Sequence, residues 1–183
     1  MKKLLIGILI SILSLNIQAQ ESLKKVPKES VAFQIDSTAV STLDSTIQSL
    51  YSVISGEKGK KRNWKHFKFL FKPEAKLIPT AIDKAGTYQL RYMTPDEYIK
   101  SSGKWLVEHG FFEKERHREV YTFGNIAHVF SSYEAFHSAS DTQPFMRGIN
   151  SIQLLNDGKR WWIVNVYWAQ ETDAHPIPKK YLP

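Results

Sequence analysis

The last third of the chain, residues 111–170, carries four apolar-rich runs separated by turn signals. The first break is Phe123-Gly124-Asn125, the second is a polar loop over 138–143, and the third is Asn156-Asp157-Gly158-Lys159. Asp-Gly between two alternating runs is one of the strongest short-range signals for a β-hairpin. The pattern therefore predicts four antiparallel strands in one sheet, with the earlier residues as its cover.

The last run has almost no polar residue on either side of the expected strand. Trp161, Ile163 and Tyr167 alternate with a second apolar set, which comprises Trp162, Val164, Val166 and Trp168. Since side chains alternate between the faces of a sheet, neither face can be freely solvated. The three helices cover one face only, so we expect this second set to form the outer face of the sheet and the protein to form a homodimer through it.

Three helices are predicted before these strands. The first follows Asp36 or Ser37 as N-cap, and its apolar residues recur at spacings of three and four until Gly56 ends it. These residues are Val40, Leu43, Ile47, Leu50, Tyr51 and Ile54. A second, short helix is expected to start after Asn63 and to end at Pro73.

A small hairpin and a third helix complete the cover. Two extended runs, 75–78 and 87–93, are joined by a polar turn and predict the hairpin. Thr94-Pro95-Asp96-Glu97 is a capping box with proline at the first helical position, so the third helix starts there. We expect it to end at Gly110.

The N-terminus has the pattern of a signal peptide. Lys2 and Lys3 precede an apolar run over 4–15, and the small residue Ala19 follows. An apolar run of this length is too short for a membrane span, which needs about 20 residues. We expect 1–19 to be a signal peptide and the mature chain to have no membrane span.

Length and composition limit the remaining possibilities. After the signal peptide we expect a flexible lead over 20–36, one domain over 37–170 and a C-terminal tail over 171–183. The chain has no Cys, which excludes disulfides, a thiol nucleophile and a lipid-modified cysteine. The sequence shows no ligand spacing for a metal and no cofactor motif, so we expect neither.

The positive charge does not indicate a nucleic-acid partner. The formal net charge is +7, and removal of Lys2 and Lys3 leaves +5. The basic residues of 58–62 have no interleaved aromatic residues, which favours a solvated loop over a nucleic-acid site.

The order of these elements resembles the nuclear transport factor 2-like superfamily, in its SnoaL-like or ketosteroid-isomerase-like branch, as an exported bacterial-type member. The resemblance spans residues 37 to about 170 and is carried by 64–71, 73–77, 94–98, 123–129, 147–151 and 157–161. It implies an α+β fold in which three helices pack in the concave face of a curved, mostly antiparallel sheet. This cone-shaped α+β barrel commonly has a pocket at its wide end and dimerises through its outer sheet face.

The strand after Gly110 is unusually polar and contains the candidates for chemistry. If the Gly124-Asn125 turn has two residues, His117 lies opposite Ser132 and Glu115 lies opposite Glu134. Such a cluster could raise the pKa of one carboxyl, as a general acid or base requires, so Glu115 and His117 are the catalytic candidates. The alternative is that these charged residues form the solvent face of the strand.

The opposite face of the same strand supplies candidates for ligand binding. Arg118 would neighbour Ser131 and Tyr133, and Arg147 could join them as a donor to an anion or a carbonyl group. The full set of ligand-binding candidates is Tyr92, Arg118, Tyr133, Glu134 and Arg147. Alternatively, each arginine pairs with a nearby glutamate.

Three functions remain open at this level. The first is an exported protein that binds an unknown small molecule in the pocket of the SnoaL-like fold. The second is a cofactor-independent lyase, isomerase or hydrolase that uses carboxylate and histidine groups in the same pocket. The third is a structural or interaction dimer whose interior is filled by its own aromatic side chains.

Export predicts that the mature protein begins near Gln20, because a signal peptidase cleaves after a small residue such as Ala19. N-terminal sequencing of the secreted protein checks this. A secreted form that still begins at Met1 would contradict it.

Overall fold

The computed structural model describes residues 35–183, in which a six-stranded mixed sheet curves around three α-helices without closing into a full barrel. The helices are α1 (Leu43–Ile54), α2 (Trp64–Phe69) and α3 (Pro95–His109). The strands are β1 (Phe71–Ile82), β2 (Tyr88–Leu90), β3 (Phe112–Phe123), β4 (Ile126–Phe136), β5 (Met146–Asn156) and β6 (Trp161–Gln170). The expected α+β class is confirmed. The expected signal peptide over 1–19, and the expected lead up to residue 34, lie outside the described residues.

The strand order is β2-β1-β6-β5-β4-β3, and the expected sheet of four C-terminal strands is confirmed. Neighbouring strands are antiparallel except β1 and β6, which run parallel. The turn after β5 contains Gly158 at φ 89°, a conformation that suits glycine. The core lies between the inner face of this sheet and the three helices.

The first helical segment differs from the single long helix expected after Asp36 or Ser37. Asp36 caps only a short 3₁₀ turn, Ser37–Val40, and α1 starts separately after Thr42. The side chain of Thr42 accepts a hydrogen bond from the backbone N–H of Ser45, and the hydroxyl oxygen of Ser45 accepts one from the N–H of Thr42. This second cap begins a new helix and breaks the run.

The start of α2 is confirmed, but its expected end at Pro73 is wrong. The Asn63 side chain accepts a hydrogen bond from the backbone N–H of His66 and caps the helix. The helix ends at Phe69, and Pro73 lies inside β1. Pro73 falls where the pairing of β1 with β6 is irregular, between Phe71 and Lys76, so its missing N–H costs no ladder bond.

The hairpin and α3 agree with the sequence. Strands β1 and β2 pair antiparallel around Thr80 and Leu90, although β1 is longer than the expected run. The capping box of α3 is present in full. Gly110 follows the helix at φ 74°, and a Cβ atom there would lie 2.3 Å from the carbonyl oxygen of His137. This contact requires glycine at the entry to β3.

A register shift changes which residues of β6 face outward. The pairing of β5 with β6 shifts between Gln153 and Leu154. Beyond the shift Val166 is buried and Trp168 packs against the core, whereas Tyr167 is exposed. The expected placement of Val166 and Trp168 on the outer face is therefore wrong, because one irregular pair reverses the alternation. The homodimer stays a prediction.

The C-terminal tail, 171–183, packs against the outer face of the sheet. The Ser132 hydroxyl donates a hydrogen bond of 2.5 Å to the carbonyl oxygen of Tyr181. The rings of Phe130 and Tyr181 meet edge to face at 5.0 Å. Ile177 is buried, and its N–H donates to the Glu171 carboxylate at 2.8 Å. The chain itself thus covers part of the face that the sequence assigned to a dimer.

Among residues 35–183, no helix combines the length and the apolar character that a membrane crossing requires.

Arg62 is buried, which corrects the expectation that all of 58–62 forms a solvated loop. Its guanidinium donates to the backbone carbonyls of Ile54, Gly56, Lys60 and Leu106 at 2.6–2.9 Å, with a longer contact to that of Glu57. Several of these carbonyls lie at or near the ends of α1 and α3, where the helices leave acceptors unpaired. Arg62 therefore joins two helix ends through one side chain, and burial lowers the pKa of its guanidinium.

Replacement of Arg62 by Met should lower the free energy of unfolding by about 3 kcal/mol or more, because several buried carbonyl groups lose a charged donor. Urea denaturation of the variant and the natural chain measures this difference. The matched control is Lys61→Met at the exposed neighbouring position, which should change the free energy of unfolding by less than about 0.5 kcal/mol. Equal stabilities for the two variants would contradict the role of Arg62.

Candidate functional site

A cavity of about 180 Å³ lies between the helices and the inner face of the sheet. Most of its walls are aliphatic or aromatic. The lining residues are Leu50, Ile54, Phe67, Leu77, Tyr98, Ser102, Trp105, Leu106, Phe111, Glu113, Tyr133, Met146, Asn150, Val166 and Trp168. A few polar groups in an otherwise apolar concavity are the usual composition of a small-molecule site.

A larger depression of about 650 Å³ lies on the surface between α2 and α3. Trp64, Ile99 and Val107 contribute to it together with exposed lysines, and it is open to solvent. The buried Arg62 in its lining already donates to backbone carbonyl groups, so these donors are not available to a ligand. We therefore take the interior cavity as the candidate site.

Glu113 is the acidic group of this cavity. It lies on the inner face of β3, and one of its oxygens, Oε1, accepts a hydrogen bond of 3.1 Å from Nδ2 of Asn150. Among residues 35–183, its carboxyl group has no other hydrogen-bond partner and no ion pair. Burial raises the pKa of Glu113 to about 7, although the hydrogen bond from Asn150 acts in the opposite direction. Glu113 can therefore exchange a proton near neutral pH.

Two phenol groups share the cavity with Glu113. The hydroxyls of Tyr98 and Tyr133 have no hydrogen-bond partner within residues 35–183. Burial first, and then the charge of Glu113, raise the pKa of each phenol, so both stay protonated at neutral pH. Two hydroxyl donors in the lining thus remain available to a bound molecule.

Gly148 makes room for the phenol of Tyr133. The two residues are direct partners in the pairing of β4 with β5. A Cβ atom at position 148 would lie 2.5 Å from the Tyr133 hydroxyl oxygen and 2.4 Å from the carbonyl oxygen of Ala169. The absence of a side chain therefore lets the tyrosine lie flat over its partner and reach the cavity.

A chain of hydrogen bonds leads from the cavity to the surface. Nδ2 of Asn150 also donates to the hydroxyl of Tyr51 at 3.1 Å, and the hydroxyls of Tyr51 and Ser131 are 2.8 Å apart. Ser131 donates to Glu115 at 2.6 Å. Arg118 then binds Glu115 through two nitrogens, at 3.0 and 2.6 Å, and reaches Asp44 at 2.9 Å.

Of the residues expected from sequence, Tyr133 alone is in the cavity lining that the structure describes. Glu115 lies on the same face of β3 but takes part in the hydrogen-bond chain. His117 pairs with Ser132, as expected, on the opposite face of the sheet. The structure therefore does not bring Glu115 and His117 together.

The expected opposition of Glu115 and Glu134 is wrong. The pairing of β3 with β4 shifts between Glu115 and His117, so that Glu115 lies opposite Tyr133 and Lys114 lies opposite Glu134. The extra residue of this bulge, Arg116, moves every earlier residue of β3 to the other face. The carboxylate of Glu134 then pairs with Arg116, at 3.3 Å, away from the cavity.

The remaining ligand-binding candidates lie elsewhere. Tyr92 is 63% exposed in the segment between β2 and α3. Arg147 donates to the carboxylate of Glu171 at 2.6 Å, next to the C-terminal tail. Arg118 is occupied by Glu115 and Asp44. Each arginine thus pairs with acidic residues, which was the alternative interpretation of the sequence.

Sequence reasoning missed Glu113, Asn150 and Tyr98 as site residues. One sequence signal for Glu113 was available. It lies two residues after the apolar Phe111, and residues two apart in a strand share a face. Asn150 was detectable as the one polar residue in the alternating series 148, 150, 152 and 154. Tyr98 sits in the first turns of α3, and nothing local distinguishes it from a core residue.

Solved structures share this architecture. A candidate dehydratase of the NTF2-like family from Streptomyces avermitilis superposes with a TM-score of 0.53 at 10% identity, over 74% of this chain and 97% of that one. A candidate scytalone dehydratase from Novosphingobium aromaticivorans gives a TM-score of 0.53 at 13% identity, over 70% and 81% of the two chains. A protein of unknown function with a cystatin-like fold, from Nostoc punctiforme, gives 0.55 at 8% identity over 77% and 97%.

The chain has the nuclear transport factor 2-like fold. No protein-family model matches its sequence, and no curated protein does. Identities this low establish the fold alone. In this NTF2-like fold the cavity with Glu113 occupies the space between the curved sheet and the helices.

Glu113 should make the protein less stable as the pH rises. The carboxyl has a pKa of 4.5 before burial and about 7 in the folded protein, so between these values the folded state holds a proton that the unfolded state has lost. The free energy of unfolding therefore falls from about pH 4.5 to pH 7, by up to about 3 kcal/mol. Urea denaturation at pH 5 and pH 8 measures this loss.

The variant Glu113→Gln isolates the contribution of this carboxyl to the pH dependence of stability, because an amide does not titrate. Relative to the natural chain, its free energy of unfolding should rise between pH 5 and pH 8. Glu134→Gln, on the outer face, serves as the control and should show no such relative rise. The same pH dependence in the natural chain and in Glu113→Gln would contradict the buried position of this carboxyl.

Proposed function

We propose that the protein binds a small, uncharged, oxygen-bearing molecule in the cavity between the helices and the sheet. The single observation that carries this proposal is that one apolar cavity contains two phenol hydroxyls and a carboxyl oxygen without hydrogen-bond partners among residues 35–183. Polar groups that converge in an apolar concavity and keep free hydrogen-bonding capacity are typical of a small-molecule site.

The chemistry of the lining favours a neutral ligand with an acceptor oxygen. The phenols of Tyr98 and Tyr133 are donors, and a carbonyl or hydroxyl oxygen can accept from them. An anion would meet Glu113, and the described lining residues include no Lys, Arg or His to balance its charge. An ammonium group would offer no acceptor to the two phenols. A neutral ring compound with one or two oxygens meets these conditions.

The size of the cavity supports a small compound. Typical sites for drug-sized ligands measure about 300–1,000 Å³, whereas this cavity measures about 180 Å³. Aromatic walls from Phe67, Trp105 and Trp168 suit a flat ring. A single ring fits this volume better than a fused ring system does.

A second candidate function is proton transfer on such a compound, in a cofactor-independent lyase, isomerase or hydrolase. The observation that favours it is the pKa of Glu113, about 7, beside phenols that stay protonated. A carboxylate of this kind can remove a proton next to a carbonyl group, while a phenol donor stabilises the oxyanion that forms. Candidate dehydratases with the same fold lend this reading support by analogy.

Export and dimerisation belong to the same proposal. Lys2, Lys3 and the apolar run over 4–15 support secretion or a periplasmic location. Val164 and Tyr167, both exposed on the outer face, support contact with a second copy. The C-terminal tail limits that contact to the part of the face that it leaves open.

The binding proposal predicts selective stabilisation by neutral oxygen compounds. Thermal denaturation with phenol, cyclohexanone, benzoate and benzylamine at millimolar concentrations compares the classes. Phenol or cyclohexanone should raise the melting temperature, and Tyr133→Phe should weaken the affinity about tenfold because one hydrogen bond is lost. Tyr121→Phe, an exposed tyrosine on the outer face, should leave the affinity unchanged. Stabilisation by benzylamine or benzoate in preference to the neutral compounds would contradict the proposal.

The same proteins decide between binding and catalysis. In D₂O, NMR follows the exchange of the α-protons of cyclohexanone for deuterium. An enzyme should speed this exchange, and Glu113→Gln should abolish the gain. Binding without faster exchange would support the binding function and contradict the enzymatic one.

A further inference from the structure

The hydrogen-bond chain behind the cavity connects a surface ion pair to the acidic group of the site. It runs from Arg118 through Glu115, Ser131 and Tyr51 to Asn150, which contacts Glu113. Its middle members are shielded from solvent, with Ser131 at 0%, Tyr51 at 5% and Asn150 at 6% exposure. Water therefore has little access to the interior links, and each donor must find its acceptor within the chain.

The direction of every hydrogen bond in the chain follows from the charge at its outer end. Glu115 receives two hydrogen bonds from Arg118 and is a carboxylate, which can only accept. Ser131 must therefore donate its single proton to Glu115, and its oxygen must accept from the hydroxyl of Tyr51.

The same reasoning fixes the amide of Asn150. The hydroxyl of Tyr51 donates its only proton to Ser131, so its oxygen must accept from Asn150. The NH₂ group of Asn150 must therefore face Tyr51. The second proton of that NH₂ group points at Oε1 of Glu113, 3.1 Å away. The other oxygen, Oε2, is left for the cavity.

We propose that Glu115 and Arg118 are positioning residues of the cavity site, which act through Ser131 and Tyr51 to hold the amide of Asn150 as a donor toward Glu113. This rests on the proposed function of the cavity. It gives the two residues a role different from the direct catalytic and ligand contacts expected from sequence.

Reversal of these hydrogen bonds would change the site even though Glu115 and Arg118 do not line the cavity. If the group at position 115 donated to Ser131, then Ser131 would donate to Tyr51, and Tyr51 would donate to the oxygen of a turned Asn150 amide. An oxygen would then face Glu113 and disfavour its ionised form. In the part of the chain that the structure describes, the other ionisable groups that face Glu113 are the phenols of Tyr51 on α1, Tyr98 on α3 and Tyr133 on β4.

Glu115→Gln imposes this reversal. Arg118 still requires an oxygen acceptor, so the amide oxygen of the new side chain turns toward it, and the NH₂ group turns toward Ser131 as a donor. The expected result is a rise in the pKa of Glu113 by about one unit or more. If the substitution acted only by removing a negative charge near Glu113, the pKa of Glu113 would instead fall.

The readout is the titration of the Glu113 carboxyl carbon by NMR, on the full chain without any ligand. Failure of ligand binding would overturn the proposed function and leave this measurement interpretable by itself. Glu134→Gln, a glutamate of the outer face whose partner is Arg116, is the matched control and should leave the pKa of Glu113 unchanged. An unchanged or lower pKa in Glu115→Gln would overturn the proposal.

A double variant tests the direction of the hydrogen bonds independently. In Glu115→Gln with Arg118→Met the amide is free to turn its oxygen back to Ser131, and the net charge of the pair matches that of the natural chain. The pKa of Glu113 should return to within about half a unit of its natural value. A pKa that stays raised in the double variant would overturn the role of Arg118.

Ser131→Ala provides a second route if Glu115→Gln does not fold. It frees the hydroxyl of Tyr51 from its acceptor, so that the orientation of Asn150 is no longer enforced and the pKa of Glu113 should rise. Ser132→Ala, one residue further on the outer face, is its control. Equal pKa values of Glu113 in the two serine variants would overturn the proposal.

Discussion

The bulge in β3 is the constraint on which the candidate site depends. Side chains alternate along a strand with a period of two, so one extra residue at Arg116 exchanges the faces of everything before it. Phe111, Glu113 and Glu115 thereby reach the same face as Arg118. A regular strand would instead have turned Lys114 and Arg116 inward. The cavity would then have had a basic wall without its carboxyl group.

The two inward carboxyl groups of β3 differ because their partners differ. Glu115 is met by the guanidinium of Arg118 and by the hydroxyl of Ser131, so its charge is balanced. Within residues 35–183 Glu113 has one amide donor and no cation beside it, and burial therefore raises its pKa. Of two glutamates two positions apart, Glu115 thus has a paired charge and Glu113 has a raised pKa.

Arg62 shows the same dependence on distant groups. In the sequence it ends a basic run and resembles any loop arginine. In the fold its guanidinium meets carbonyl groups of Ile54 and Leu106, 8 and 44 positions away. The tail behaves likewise, because Ser132 is 49 positions from the carbonyl group of Tyr181 that it binds. Patterns of charge and hydropathy along the sequence do not reveal such long-range pairs.

The sequence by itself determined the elements whose hydrogen bonds are local. The caps at Asn63 and Thr94 and the turn glycine at 158 follow from interactions within a few residues, and local turn signals mark the boundaries of the four C-terminal strands. Tertiary structure alone decided which face of β3 lines the cavity, and that Tyr51 meets Ser131 and Asn150, 80 and 99 positions away. A bulge depends on how two strands fit together, and one strand does not encode its partner.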